Sequence, residues 1–107
     1  MDGSSYEREL KRILTKEGWL VFRSAGSFFC DLIALKPNEH MLIECKASKE
    51  KAYYTASSKE SKAQFDALNN LAKDGYNVFY YTRWKRINKW DKFQLPLEPY
   101  PIFRRSE

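Results

Sequence analysis

Asp31, Glu44 and Lys46 place two hard-oxygen acids and a primary amine within one short stretch of chain. The apolar and β-branched runs Cys30 to Leu35 and Met41 to Lys46 read as strands, and Lys36-Pro37-Asn38-Glu39 between them is rich in turn formers. If residue 35 pairs with residue 40, Asp31 faces Glu44 across the resulting hairpin. Opposed residues of an antiparallel pair point to the same side with Cβ atoms about 4.5–5.5 Å apart. Two carboxylates so placed repel, and a divalent cation with a preference for oxygen ligands removes that penalty. Lys46 follows Glu44 by two residues and shares its face, whereas Cys45 points to the other.

A cation held by two acids beside an ammonium group meets the needs of phosphodiester hydrolysis. The metal polarises the phosphoryl oxygen and acidifies a bound water, and the amine neutralises developing charge. The competing reading is an edge strand whose charges alternate into solvent, since a lone Glu-x-Lys triplet is common. Asp31 across a plausible hairpin favours the chemical reading. The same register sets Cys30 opposite Cys45, as reduced thiols that only an oxidising environment would join. With His40 the only histidine and no CxxC spacing, a zinc site is not expected.

The charge balance agrees with a polyanionic partner. Nineteen Lys and Arg against 14 Asp and Glu give a net charge of +5, and the pI is near 9.2. Such a field attracts nucleic acid, although a modest excess also serves solubility. Between Arg83 and Arg105, basic residues interleave with Trp84, Trp90, Tyr100 and Phe103, a mixture that suits phosphate contact and base stacking if the rings are not simply core. No charged leader followed by an apolar core opens the chain, and no apolar run reaches the ~20 residues of a membrane span. An intracellular protein without a membrane partner or small-molecule cofactor is expected.

The elements that must position these groups follow from period and punctuation. A first helix from about Tyr6 to Lys16 carries Tyr6, Leu10, Ile13 and Leu14 on one face and stops at Gly18, with Ser4 and Ser5 available as caps. Trp19 to Phe22 reads as a buried strand, and Ser24-Ala25-Gly26-Ser27 as a turn. Lys49 to Thr55 has no clean period. Ser57 and Glu60 have capping-box spacing ahead of a second helix with Phe65, Leu68, Leu71 and Ala72 on one face, ended by Gly75. Val78 to Thr82 and, more weakly, Lys89 to Leu95 are further strands. Pro96, Pro99 and Pro101 predict an extended tail over 96–107 behind a domain of residues 1–95. The order α-β-β-β-α-β describes a single α/β domain with a mixed central sheet flanked by helices.

Beyond these patterns, Asp31 with Glu44-Cys45-Lys46 matches the PD-(D/E)xK nuclease superfamily. More closely, Glu7-Arg8-Glu9-Leu10, Gly18, Arg23-Ser24-Ala25-Gly26-Ser27, Asp31-Leu32-Ile33-Ala34 and Ile43-Glu44-Cys45-Lys46 resemble the archaeal Holliday junction resolvases in order and spacing. The likeness is strong over the first half of the chain and weaker through the second helix, where Gln64 and Leu68 keep the spacing. It implies a restriction-endonuclease-like fold and a homodimer, from an archaeal cell or virus, that nicks four-way DNA junctions with Mg²⁺ or Mn²⁺. It also implies roles: Glu7, Asp31, Glu44 and Lys46 as catalytic residues, the three acids as metal ligands, and Arg8, Arg23, Ser27 and Lys46 at the DNA. The helical wheel alone does not choose Glu7 over Glu9, because both flank the apolar stripe about equally; the resemblance makes that choice. Phe28-Phe29 and the Pro-rich end with Arg104-Arg105 depart from the pattern. Activity on other branched, nicked or flap DNA, and a binding module without catalysis, are the alternatives.

Overall fold

A five-stranded mixed sheet in the order β1-β2-β3-β5-β6 separates two helices, one on each face. The computed structural model describes residues 3–24 and 30–106, and for Gly3 and Ser4 the backbone alone. The elements are α1 (Gly3–Lys16), β1 (Leu20–Arg23), β2 (Leu32–Lys36), β3 (Glu39–Ser48), β4 (Ala52–Tyr54), α2 (Lys59–Lys73), β5 (Val78–Trp84), β6 (Lys89–Gln94) and β7 (Ile102–Arg104). β3 and β5 are parallel, with α2 on the crossover between them, and the other neighbours in the sheet are antiparallel.

The hairpin of β2 and β3 has the expected register, with Leu32 opposite Ile43 and Leu35 opposite His40. Its turn is tighter than a four-residue loop: Lys36 pairs with Glu39, and Asn38 takes the left-handed conformation (φ 64°) that Asn tolerates. α1 buries Leu10 and Leu14 against Val21, Leu32, Ala34, Ile43 and Tyr81 on one face of the sheet. α2 buries Phe65, Leu68 and Ala72 against Val78 and Tyr80 on the other. β5, covered from both sides, is buried along its whole length.

Further expectations need correction. β1, read as a buried strand, buries Val21 and leaves Leu20 and Phe22 exposed. The N-cap of α2 is Ser58, whose side chain accepts from Ser61 N, one residue later than the Ser57 and Glu60 pattern suggests. The tail is irregular only as far as Pro101; Ile102–Arg104 pairs with Ala52–Tyr54 in a second, two-stranded sheet. Trp84 and Phe103 are core, and Trp90 is half-buried against it, so of the late aromatics Tyr100 alone is exposed. The two cysteines are free, but they are not packed face to face. β2 begins only at Leu32, its alternation lapses before residue 30, and Cys30 joins the α2-side core while Cys45 packs on the α1 side. Burial pushes the Cys30 thiol up to about 11, which keeps it protonated.

Candidate active site

The end of the β2–β3 hairpin gathers the predicted groups. Asp31 lies just before β2; its backbone N–H bonds Ile43 O at 2.9 Å, and its Oδ2 accepts from the Cys45 backbone N–H at 2.8 Å. Glu44, on β3, is 4% exposed. Its Oε2 lies 3.3 Å from Lys46 Nζ and accepts from Gln64 Nε2 of α2 at 2.8 Å. Glu44 also lies within the field of the Asp31 charge. Strand alternation brings Glu44 and Lys46 to one face of β3, and Asp31, one residue before β2, reaches the same strand through its bond from the Cys45 amide.

The electrostatics follow from that crowding. Burial first, and then the Asp31 charge, pushes the Glu44 carboxyl up to about 8, with Lys46 opposing. Burial works against the charge of Lys46, but Glu44, Tyr53 and Asp31 outweigh it and the ammonium is favoured. Glu7, on α1, is also raised, by burial and then by Asp31, while Arg23 at 3.5 Å pulls the other way. The strand end opposite Glu7 is closed by the Ser24 hydroxyl, which donates to Cys30 O, and by Ser24 N, which bonds Asp31 O at 2.9 Å.

Geometry separates the two helix acids. Glu9 turns away to a separate cluster, accepting from Arg83 Nε at 2.8 Å and from Trp90 Nε1 at 2.7 Å. Glu7 is the acid that feels Asp31. It does not, however, join Asp31 and Glu44 in a three-ligand cage: among the described residues no three His, Cys, Asp or Glu side chains converge as a metal-holding group. The reason is its origin on the helix of the opposite sheet face. Asp31 and Glu44 offer oxygen donors of the kind a hard cation takes, since Mg²⁺ commonly binds one or two carboxylates and keeps waters.

Arg8 and Arg23 line an open groove of about 480 Å³ along α1, together with Lys11, Arg12, Thr15 and Lys16. Ser27, with Phe28 and Phe29, lies outside the described residues. Sequence reasoning noted Gln64 only for its spacing; its bond to Glu44 comes from a helix 20 residues further along the chain, and a polar residue one position before the buried Phe65 is its only local signal.

A mixed sheet between two helices, with an acid, acid, lysine set at a hairpin end, defines the restriction-endonuclease-like class of domains. A family model described as archaeal Holliday junction resolvase (Hjc) matches residues 1–77. The chain belongs to that family. It is 56% identical over 52 residues to the crossover junction endodeoxyribonuclease Hjc of Methanocaldococcus jannaschii, a match covering 49% of this chain and 39% of that protein. Its fold is similar to that of Archaeoglobus fulgidus Hjc, a Holliday junction resolvase from an archaeal hyperthermophile: TM-score 0.67, 26% identity, 98% of this chain and 84% of that one. Among the described residues no helix is long and apolar enough to cross a membrane.

Proposed function

We propose that the protein is a structure-specific DNA endonuclease that resolves four-way junctions by metal-dependent phosphodiester hydrolysis, giving paired nicks. The observation that carries this reading is the buried Glu44 carboxyl, 3.3 Å from Lys46 Nζ and within the field of Asp31, in a domain of this family. Asp31 and Glu44 would hold the cation. When bound, Mg²⁺ or Mn²⁺ would polarise the scissile phosphate and acidify a water.

The chain's own residues do the rest. The Cys45 amide fixes Asp31, and Gln64 and Lys46 fix Glu44, so the carboxylates are oriented before DNA arrives. Lys46 offers its ammonium to the charge that builds on the phosphoryl oxygens. Glu7, held by Arg23 at the edge of the site, stands where it can accept a proton or a hydrogen bond from an incoming water. The basic groove along α1 suits a phosphate backbone that runs into the site past Arg23.

Two symmetric nicks need two sites, and a C₂ homodimer provides them. α2 covers the sheet over β5 and leaves Leu20, Phe22 and Leu35 of β1 and β2 exposed (60%, 49% and 39%), an apolar face that a second copy would bury. Sedimentation should give a dimer, and a monomer would remove this part of the proposal.

Incubating the protein with a labelled synthetic four-way junction, with and without Mg²⁺, tests the whole reading. Paired nicks that need the cation are expected. Equal cutting of linear duplex would exclude junction resolution, preference for flaps or nicks would favour another branched substrate, and binding without cutting would leave a recruitment module.

A further inference from the structure

Lys46 has two neighbours of consequence, the Glu44 carboxylate and the ring of Tyr53, whose centroid is 5.9 Å from Nζ. Tyr53 does not belong to the main sheet. It sits in β4, whose strand partner is β7, with Tyr53 opposite Phe103. Phe103 is 2% exposed and stacks on Phe93 at 4.3 Å between centroids, leans on Tyr80 at 5.1 Å and lies parallel to Tyr53 at 6.5 Å. Tyr53 in turn meets Tyr80 at 6.4 Å. A continuous ring column thus runs from β6 to the lysine.

The segment that supplies Phe103 is fastened along its length. Asn69 of α2 clasps Leu97 with two hydrogen bonds of 2.9 Å, Tyr100 donates to Asp66 at 3.0 Å, and the Thr55 hydroxyl donates to Pro101 O at 2.7 Å. Beyond β7, Arg105 N bonds Lys51 O at 2.8 Å and Ser106 bonds Asp91. Leu97, Tyr100, Pro101, Phe103, Arg105 and Ser106 all lie past residue 77, where the family match ends.

We infer that Tyr53 is a positioning residue for Lys46, held in place by the C-terminal strand, so that the segment after the family-matched region completes the active site. The ring face attracts the ammonium and blocks its swing away from Glu44. The phenol oxygen is not required, only the ring. This role rests on the endonuclease reading, in which Lys46 acts at the phosphate.

The test compares Tyr53→Phe, Tyr53→Leu and Phe103→Leu in the full chain by junction cleavage and by acylation footprinting of Lys46, with the exposed Lys49 and Lys51 as internal references. Tyr53→Leu should lower kcat about ten-fold with KM for DNA within about two-fold, a loss near one cation–π contact. Its Lys46 should be acylated several-fold faster relative to the references. Tyr53→Phe should match the original protein in both, and Phe103→Leu should shift both in the same direction as Tyr53→Leu but less. The footprint decides even if the original protein cuts no junction, so failure of the endonuclease reading is seen separately. An unchanged footprint in both leucine variants overturns the inference, as does unchanged turnover in an active protein.

Discussion

Two clusters that each centre on a glutamate and a basic side chain, on opposite faces of one sheet, have opposite electrostatics. On the α1 side, Glu9 takes a bidentate grip from Arg83 and a third bond from Trp90, and the Arg83 hydrogen bonds, outweighing partial burial, hold its carboxyl below the usual range. On the α2 side, Glu44 is buried against a second acid, and its carboxyl is pushed up to about 8. The first cluster is complete and serves the fold. The second crowds two carboxylates, so that Glu44 is favoured in its protonated form, a preference that a bound cation would reverse.

Substitutions in the two clusters should therefore separate activity from stability. Lys46→Ala should lower cleavage about 10²–10³-fold, the scale of losing one donor aimed at transition-state charge, with folding retained. Unfolding of this variant at ordinary temperature would assign Lys46 to the structural class instead. Glu9→Ala should do the reverse: it strands buried Arg83 and costs about 2 kcal/mol, discounted because Glu9 is partly solvated, while cleavage at low temperature persists. Denaturant unfolding of both variants checks the pair.

pH sharpens the contrast. Because the folded pKa of Glu44 is raised, its contribution to stability is full below its unfolded value of 4.5 and is lost as pH rises through about 8. The metal-free protein should therefore gain stability on Glu44→Gln at pH 9, by roughly 1–3 kcal/mol, and little at pH 4. Cation affinity should run the other way and strengthen as pH rises through the same window. Thermal melts with chelator, and Mn²⁺ titrations, measure the two. Smallest should be Gln64→Leu, which removes one charge-assisted bond from Glu44. It should weaken Mn²⁺ binding by about ten-fold, the usual loss when a partner that orients a metal ligand is removed.

What the chain made legible was local or periodic. Pro37 and Asn38 punctuate the hairpin tightly enough to fix its register from Leu32 to Lys36, and alternation along β3 keeps Glu44 and Lys46 on one side. Glu7 and Glu9 looked equivalent because the difference between them lies in Arg83 and Trp90, 74 and 81 residues from Glu9. β4 and β7 were invisible for a similar reason. Each is three residues long with no period to detect, and their pairing spans about half the chain beside prolines that argue against any strand. Cys30 was misplaced because alternation was carried past the point where β2 ends.

The hairpin carboxylates as the seat of catalysis are tested most directly by Asp31→Asn on a labelled four-way junction, with binding and nicking measured in the same Mg²⁺ buffer. Binding should survive, because Lys and Arg contacts to phosphate dominate affinity, and nicking should disappear. A variant that nicks as fast as the original protein would contradict the account.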